Sequence, residues 1–293
     1  MNGSPLRYPG GKALMTNFFI ELFRLNGLKD VVYAEPYAGG AGAAINLLLQ
    51  NKVSCIMIND ANIGVFSFWY SLIHDSERFI QVIKDIPVTL TEWNHQRSII
   101  KNADTPSFEL GVATFFMSRT NRSGVITGGA IGGATEEKQA QAKYKIDCRF
   151  KKDKLIERLQ AIVERKKQIL VSNNDALDFL RNLNESVFVY LDPPYYDKGK
   201  YLYMNHYTID DHICLAEYLQ KEANFKWILS YDDVPKIREL YKECDMYRFP
   251  LKYTVESKRI GYELLTHSKE ILFLDEMQIY RKQSANINIE RIC

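Results

Sequence analysis

Short apolar runs and helix-like patterns alternate along both ends of the chain. Runs of β-branched and aromatic residues, each closed by turn-forming residues, predict buried strands. Apolar residues at three- and four-residue spacing between these runs predict helices. The strands predicted in this way cover residues 31–35, 55–58, 168–171, 188–191, 225–231, 247–255, 263–265 and 271–274. Strands that alternate with helices in this order predict an α/β fold.

The middle of the chain, residues 64–166, has a different character. It is helical in pattern up to about residue 119, and a glycine-rich segment, residues 123–133, follows. The glycines disfavour a regular helix, so we expect a loop or hairpin that orders on a ligand, with a simple linker as the alternative. Residues 118–167 contain thirteen Lys or Arg and six Asp or Glu, a local excess of +7, and because the whole chain is +2 the remainder is −5. This distribution predicts a polyanionic partner, with a solvated helix face as the alternative.

The predicted strand at 188–191 ends in the sequence Asp192-Pro193-Pro194-Tyr195. Proline donates no backbone hydrogen bond, so the strand must stop at this point. Open α/β sheets bind their ligands at the carboxyl ends of strands. A carboxylate, an exposed carbonyl of Pro193 and an aromatic face at that position suit a planar ring with an exocyclic amine.

Two further segments predict a nucleotide-type ligand. The predicted strand at 31–35 leads into the glycine turn 36–42 and then a helix, a pattern in which glycine lets a ligand approach the backbone. Asp60 follows the second predicted strand, where an acidic side chain can accept hydrogen bonds from ribose hydroxyls. The segment Arg7-Tyr8-Pro9-Gly10-Gly11-Lys12 also precedes a helix, but it lacks the spacing of a phosphate-binding P-loop.

The composition excludes several classes of protein. No apolar run approaches the length of a membrane span, so we expect no membrane partner. The five cysteines are dispersed, without a Cys-x-x-Cys pair, which argues against a disulfide framework or a zinc site. A reducing cytoplasm is the expected location, and a nucleoid-associated or phage-encoded protein is compatible with it.

Taken together, the ordered motifs resemble the Dam-like (D12 class) adenine-specific DNA methyltransferases. The resemblance extends from Arg7 to about Leu274 and is specific through the order of its motifs. The matching segments are Tyr8-Pro9-Gly10-Gly11-Lys12, Glu35-Pro36-Tyr37-Ala38-Gly39-Gly40, Ile58-Asn59-Asp60-Ala61-Asn62, Asn174-Asp175-Ala176 and Leu191-Asp192-Pro193-Pro194-Tyr195, with Tyr203-Met204-Asn205-His206-Tyr207, Asp211-His212 and Lys258-Arg259-Ile260-Gly261-Tyr262-Glu263-Leu264-Leu265 in support.

The resemblance implies a Rossmann-like, seven-strand mixed sheet that binds S-adenosylmethionine. Residues 1–63 and 167–293 would form the catalytic domain, and residues 64–166 an inserted, mainly helical target-recognition subdomain. The implied activity is methyl transfer to adenine N6 in duplex DNA after base flipping. It requires no metal, and its implied partner is double-stranded DNA; whether a cognate restriction enzyme accompanies it stays open.

The resemblance also implies roles for individual residues. Asp192 and the Pro193 carbonyl would accept the N6 hydrogens of adenine, and Tyr195 would stack on the flipped base. Asp60 would bind the ribose of the cofactor, and Asp175 would lie beside its adenine. The residues implied for cofactor binding are Tyr8, Lys12, Glu35, Gly39, Gly40, Asp60, Asp175 and Asp192, and those predicted to bind DNA are Arg119, Asn121, Arg122, Lys143 and Lys145.

Several alternatives stay open at this point. The Asp192 motif serves any exocyclic amine, so cytosine N4 or RNA is a second acceptor class. A DNA- or cofactor-binding subunit without activity is a third hypothesis, and protein glutamine methylation is disfavoured because those enzymes usually have Asn at the position of Asp192. The segment 123–133 also differs from the recognition hairpin of GATC-methylating members, so the target sequence is expected to differ. Ser230-Tyr231-Asp232-Asp233 stands where such enzymes often have Ser-Asn.

Overall fold

A central mixed sheet organises the molecule. The computed structural model describes residues 3–196, 207–253, 259–273, 278–279 and 287–292. Within these residues, eight strands form one sheet in the order β10-β6-β7-β5-β4-β1-β2-β3, and β8 pairs with β9. The strands are β1 (Val32–Glu35), β2 (Cys55–Asn59), β3 (Ile169–Ser172), β4 (Val187–Leu191), β5 (Lys226–Asp232), β6 (Met246–Tyr253), β7 (Arg259–His267), β8 (Gln278–Ile279), β9 (Ile287–Asn288) and β10 (Glu290–Arg291).

Strands β1 to β5 are parallel, and β7 is inserted antiparallel between β5 and β6. The chain leaves β1 toward β2 and β3 on one side, and β4 pairs with β1 on the other. The carboxyl ends of β1 and β4 therefore form the topological switch point, where α/β sheets bind ligands.

Helices cover both faces of this sheet. They are α1 (Thr16–Leu25), α2 (Gly42–Leu49), α3 (Ile63–His74), α4 (Ser76–Asp85), α5 (Leu90–Asn102), α6 (Phe108–Thr120), α7 (Glu136–Gln141), α8 (Lys152–Val163), α9 (Ala176–Arg181), α10 (Ile209–Lys221) and α11 (Pro235–Leu240), with 3-10 turns at Ala13–Met15, Arg122–Gly124, Ile146–Arg149 and Lys166–Gln168.

Strand β4 shows how the sequence builds this three-layer arrangement. All five of its residues are buried. Phe188 and Tyr190 pack into the core that includes α1, whereas Val187, Val189 and Leu191 pack into the core that includes α9 and α10. The alternation has the two-residue period of a strand, and both faces are apolar because helices cover both.

Two sequence predictions about the sheet need correction. The sheet has eight strands rather than seven, because the two-residue strand β10 pairs antiparallel with the edge strand β6. The predicted strand at 271–274 does not form at Ile271, Leu272 or Phe273, and Leu274 lies outside the described residues. Ile271 and Phe273 instead pack on the core of α1 as irregular chain, which satisfies their hydrophobicity without a strand ladder.

The predicted insertion lies between β2 and β3 and contains α3 to α8. Trp69, Phe115 and Leu159 from these helices belong to the same buried cluster as Phe19 and Ile56 next to the sheet. The helices are therefore packed on the central sheet through a continuous core. Among the described helices, none is long and apolar enough to cross a membrane.

Candidate active site

An open cavity of about 920 Å³ lies at the carboxyl ends of β1 and β4. Every residue implied for cofactor binding lines it, namely Tyr8, Lys12, Glu35, Gly39, Gly40, Asp60, Asp175 and Asp192. The structure thus collects in one cavity residues that are as far apart in sequence as Tyr8 and Asp192.

A buried lysine holds the carboxylate at the end of β4. Lys12 Nζ donates to Asp192 Oδ1 at 2.7 Å and to Oδ2 at 2.8 Å. The Lys12 side chain is 5% exposed and that of Asp192 is 19% exposed, so a ligand can reach the carboxylate but not the ammonium without local rearrangement. Because the pair is largely shielded from water, its geometry is fixed more firmly than that of a surface ion pair.

Strand β5 adds a second donor to the same carboxylate. Ser230 Oγ donates to Asp192 Oδ1 at 3.0 Å and lies 2.8 Å from the Tyr190 hydroxyl. Oδ1 therefore has two protein donors, whereas Lys12 is the only described donor to Oδ2. Ser230 begins the segment that stands where the resembling enzymes often have Ser-Asn, and in the structure it contacts Asp192 directly.

Glu263 completes the cluster from the antiparallel strand β7. The Tyr195 hydroxyl donates to Glu263 Oε1, and Lys12 Nζ lies 3.4 Å from the same oxygen and 3.2 Å from the Tyr195 hydroxyl. Burial raises the pKa of Glu263, and the neighbouring Asp192 charge raises it further, while Lys12 opposes this. One ammonium is therefore shared between two carboxylates.

Glu263 has no role predicted from the sequence, although it lies in the segment 258–265 that supports the family resemblance. In the structure, Asp232 and Glu263 are register partners of β5 and β7. The local apolar pattern predicts a strand but not its position between β5 and β6 in the sheet. The proximity of Glu263 to Lys12 therefore could not be predicted from the sequence.

The glycine turn after β1 is packed against Tyr8. Gly39 has φ +46°, and a Cβ atom there would lie 2.7 Å from the Tyr8 ring. The Trp69 indole donates to the Gly39 carbonyl at 2.9 Å, which fixes the turn from the insertion side. The missing side chain at Gly39 therefore makes room for the Tyr8 ring, which lines the cavity.

Two acidic side chains line the cavity beside this turn. Asp60 accepts from the backbone N–H groups of Gly39 at 2.8 Å and Asn62 at 2.9 Å, and burial nevertheless raises its pKa to about 6. Glu35 Oε1 accepts from the Tyr33 hydroxyl and the Ala44 N–H, and burial raises its pKa to about 8. Raised pKa values of acids in a cleft are typical of a site that receives a cation or hydrogen-bond donors.

Asp175 occupies the rim of the cavity. Its Oδ1 accepts from the N–H groups of Leu177 at 2.8 Å and Asp178 at 3.4 Å, so it is the N-cap of α9. The side chain is exposed and lines the cavity. A capping role fixes where this carboxylate stands relative to the end of β3.

The sequence as a whole provides the decisive comparison. It matches the model of the family described as D12 class N6 adenine-specific DNA methyltransferase over residues 8–256. The chain belongs to this family. The predicted family and enzyme class are thereby confirmed: the protein methylates adenine N6 in DNA, with S-adenosylmethionine as the methyl donor implied by the family.

Other comparisons add little. No curated protein matches the sequence. Among solved structures, this methyltransferase is similar to protein LPL1258 from Legionella pneumophila, with 11% sequence identity and a TM-score of 0.32, over 87% of this chain and 83% of that chain. A likeness at that TM-score supports no conclusion about fold or function.

The cavity fits the methyl donor on its own features. The turn at Gly39 and Gly40 brings backbone close to the space in front of β1, and Tyr8 provides an aromatic wall. Glu35 and Asp60 offer acceptors to a ligand that has hydroxyl groups and positive charge. Among the residues that the structure describes, no group of three or more His, Cys, Asp and Glu side chains is arranged to hold a metal ion.

The other residues of the predicted catalytic motif lie just behind the cavity. Pro193 is buried and is not among the residues that line the cavity, whereas Asp192 and Pro194 are. Tyr195 is 3% exposed, and Lys12 Nζ lies 5.4 Å from its ring centroid. In this conformation the methyltransferase presents the carboxylate of the motif to the cavity and keeps the Tyr195 ring behind Lys12.

The residues predicted to bind DNA divide into two groups. Arg122, Lys143 and Lys145 are exposed. Asn121 is fully buried: its Oδ1 accepts from the Trp93 indole at 2.7 Å, and its Nδ2 donates to the carbonyls of Val125 and Ile126 at 2.9 and 2.8 Å. The prediction that Asn121 contacts DNA is therefore corrected, because all the polar atoms of its amide are used inside the protein.

Arg119 is also inside the methyltransferase and not on the surface of the loop. It is 7% exposed, and its guanidinium donates to the Pro5 carbonyl through Nε at 2.5 Å and also through Nη2. The glycine-rich segment is ordered by backbone hydrogen bonds, from Arg122 to Gly129 at 3.0 Å and from Ile131 to Thr120 at 2.8 Å. These bonds hold the segment as a compact turn next to the end of α6.

Proposed function

We propose that this enzyme methylates adenine N6 in duplex DNA after flipping the base toward Asp192, and that the cavity at β1 and β4 holds S-adenosylmethionine. The observation that supports this most directly is the shared wall: Asp192 and the glycine turn line the same cavity. A carboxylate for the amine and a cradle for the donor are therefore adjacent.

The donor site is built from this chain's own residues. Tyr8, Gly39 and Gly40 would hold the methionine part, and Asp60 the ribose hydroxyls. Asp175 at the rim would lie beside the donor adenine. When bound, S-adenosylmethionine supplies a methyl group on a positively charged sulfur.

Asp192 is the group that we assign to the acceptor amine. The lone pair of adenine N6 is delocalised into the ring, so an acceptor for its hydrogens favours the pyramidal, nucleophilic amine. A fixed carboxylate also stabilises the positive charge that develops on N6 during transfer. The Pro193 carbonyl is the second proposed acceptor, and Tyr195 the proposed stacking platform for the flipped base.

Lys12 positions Asp192 before the base arrives. Its ammonium contacts both carboxylate oxygens. An entering amine must therefore displace one of these two contacts, and Glu263, 3.4 Å from Nζ, offers the ammonium a second anionic partner. We propose that the shared lysine moves toward Glu263 as the base enters, which would free an oxygen of Asp192 for the amine.

Methyl transfer from tritium-labelled S-adenosylmethionine to duplex DNA, followed by nucleoside analysis of the product, tests this function. We expect N6-methyladenine with the wild type and a loss of at least about 100-fold in kcat for Asp192→Asn, which removes the anionic acceptor but keeps its shape. Donor affinity should stay within about threefold, because Asp192 forms only one part of the donor cavity.

Asp178→Asn is the matched control, since Asp178 is an exposed carboxylate on α9 that pairs with Arg181. It should methylate at the wild-type rate. Activity of Asp192→Asn equal to that of this control would contradict the assigned role. If the product were N4-methylcytosine, or if only RNA were methylated, the acceptor would be cytosine or RNA and the assignment to adenine in DNA would be wrong.

A further inference from the structure

A second cavity adjoins the donor site at the glycine turn. Its volume is about 660 Å³, it is open to solvent, and it shares Tyr8, Gly11, Gly40 and Gly42 with the donor cavity. The rest of its lining comes from the N-terminal segment, the end of α6, the following loop and α8, namely Ser4, Leu6, Arg7, Ala13, Arg119, Ser123 and Arg158.

Three guanidinium groups meet in this second cavity. Arg7, Arg119 and Arg158 line it, and no acidic side chain does so among the described residues. The described ion pairs also include none with these three arginines. Arg7 donates to the Asn121 carbonyl at 3.2 Å and Arg119 to the Pro5 carbonyl, so the described hydrogen bonds of both are to neutral groups.

The cluster is electrostatically unfavourable as it stands. Burial, together with the charges of Arg158 and Arg7, lowers the pKa of Arg119 to about 9. The pKa of Arg7 is lowered by burial and by Arg149. A buried cation without an anionic partner is destabilised by desolvation, so a protein retains such a cluster where an anion compensates it.

We propose that this second cavity binds a phosphate group, and that the group is a backbone phosphate of the DNA substrate. A tetrahedral oxyanion can accept from guanidinium groups that approach from three directions. Ser123 adds a hydroxyl to the wall. The assignment to DNA depends on the proposed function, whereas the phosphate site itself does not.

The surroundings of the cavity favour a nucleic acid as the source of the phosphate. Arg122 and Arg149, near Ser123 and Arg7, are exposed. Three of its lining residues, Arg119, Ser123 and Arg158, belong to the segment that has the excess of positive charge. Because the two cavities share residues of the glycine turn, a phosphate fixed here would set the DNA strand in register with the reacting base.

Arg158→Gln tests the proposal without altering the donor site. Arg158 is half-buried on α8 and makes no described hydrogen bond or ion pair. Its removal should leave the fold intact and raise Tm slightly in phosphate-free buffer, because it relieves repulsion within the cluster. Lys154→Gln is the matched control: Lys154 is an exposed cation one turn earlier on α8 that does not line the cavity.

The first measurement is thermal unfolding with inorganic phosphate against sodium chloride of equal ionic strength. Phosphate should raise Tm of the wild type and Lys154→Gln by about 3 °C more than chloride does. The gain should vanish in Arg158→Gln. An equal response of phosphate and chloride in the wild type would overturn the site.

The second measurement is the affinity for duplex DNA at several salt concentrations. Arg158→Gln should weaken binding about tenfold at 0.15 M salt and reduce the slope of log Kd against log salt by about 0.9, the value for one phosphate contact.

Unchanged DNA binding together with lost phosphate protection would overturn the assignment to DNA and leave a site for a free phosphate compound. A change in donor affinity instead would overturn both, because the arginines would then serve the donor carboxylate. A wild type that protects with phosphate but methylates no DNA would refute the proposed function alone.

Discussion

At the scale of single residues, the active site depends on how one ammonium is divided between two carboxylates. Lys12 is buried between Asp192 and Glu263 and also lies 3.2 Å from the Tyr195 hydroxyl. Burial raises the pKa of Glu263. The protonation state of Glu263 therefore sets how strongly Lys12 is drawn away from Asp192.

This division predicts the effect of Glu263→Gln. Glutamine cannot attract the ammonium as a carboxylate does, so Lys12 should stay on Asp192 and compete with the entering amine. We expect kcat to fall about tenfold, the equivalent of one charge-assisted hydrogen bond, with donor affinity nearly unchanged. Because an acid ionises as pH rises, wild-type kcat should increase with pH through the pKa of Glu263, and that limb should be absent in the variant.

Steady-state kinetics with duplex DNA between pH 5.5 and 9 measures both effects. Glu270→Gln, a change of an exposed carboxylate just after β7, is the control and should keep the wild-type profile. A Glu263→Gln enzyme with the same pH limb as the wild type would rule out this role for Glu263.

At the scale of elements, the turn between β1 and α2 joins the donor cavity to the N-terminal segment. Gly39→Ala places a Cβ 2.7 Å from the Tyr8 ring at a residue with φ +46°. The ring must move and the backbone is strained, so we expect Kd for S-adenosylmethionine to rise at least about tenfold. Isothermal titration measures this change.

Gly129→Ala is the control for that measurement, because a Cβ at Gly129 meets nothing within 4 Å. It should bind the donor like the wild type. Equal donor affinity of the two alanine variants would show that the position of the Tyr8 ring does not govern the donor site.

Two neighbouring residues in the loop after α6 should affect different properties, one the stability of the protein and the other its affinity for DNA. Asn121→Ala removes three hydrogen bonds and leaves the Trp93 N–H and two carbonyls buried, so we expect a loss of about 2–4 kcal/mol in the free energy of unfolding. Arg122→Ala, on the exposed neighbour, should unfold at the wild-type denaturant midpoint but bind duplex DNA more weakly. Denaturant unfolding and DNA titration of both variants check this contrast; a stable Asn121→Ala would refute the anchoring role.

The sequence predicted elements better than it predicted which side chains face outward. Strand β4 and its end at Asp192 follow from a local apolar run and two prolines, and the buried strand has the predicted position. Arg119 and Asn121 were placed on a DNA-binding loop because charge and glycine content are visible in a sequence, whereas burial between α6 and the N-terminal segment is not. Glu263 was missed for the same reason, since its contact with Lys12 depends on long-range strand order.

At the scale of the whole molecule, two cavities of opposite charge meet at one glycine turn, whose residues line both. The donor cavity contains Glu35 and Asp60, and the second cavity contains Arg7, Arg119 and Arg158. This separation of charge matches the two substrates, a cationic methyl donor and an anionic nucleic acid. The position of Glu35 and Asp60 in the proposed donor cavity also implies that donor binding changes the protonation of these carboxyl groups.

That connection predicts proton release when the donor binds. The pKa of Glu35 is about 8 in the folded protein, so the carboxyl is mostly neutral at pH 7. A cationic ligand in the same cavity favours the carboxylate and lowers its pKa, so a proton leaves as the donor enters. Donor affinity should therefore rise with pH below about 8, by at most tenfold per pH unit for one proton.

Titration calorimetry in HEPES and in Tris, whose ionisation enthalpies differ, measures the number of protons released on donor binding. Glu35→Gln should remove the difference between the buffers, whereas Glu21→Gln, on the exposed side of α1, should retain it. Proton uptake by the wild type, or equal release from Glu35→Gln, would place the donor charge away from Glu35.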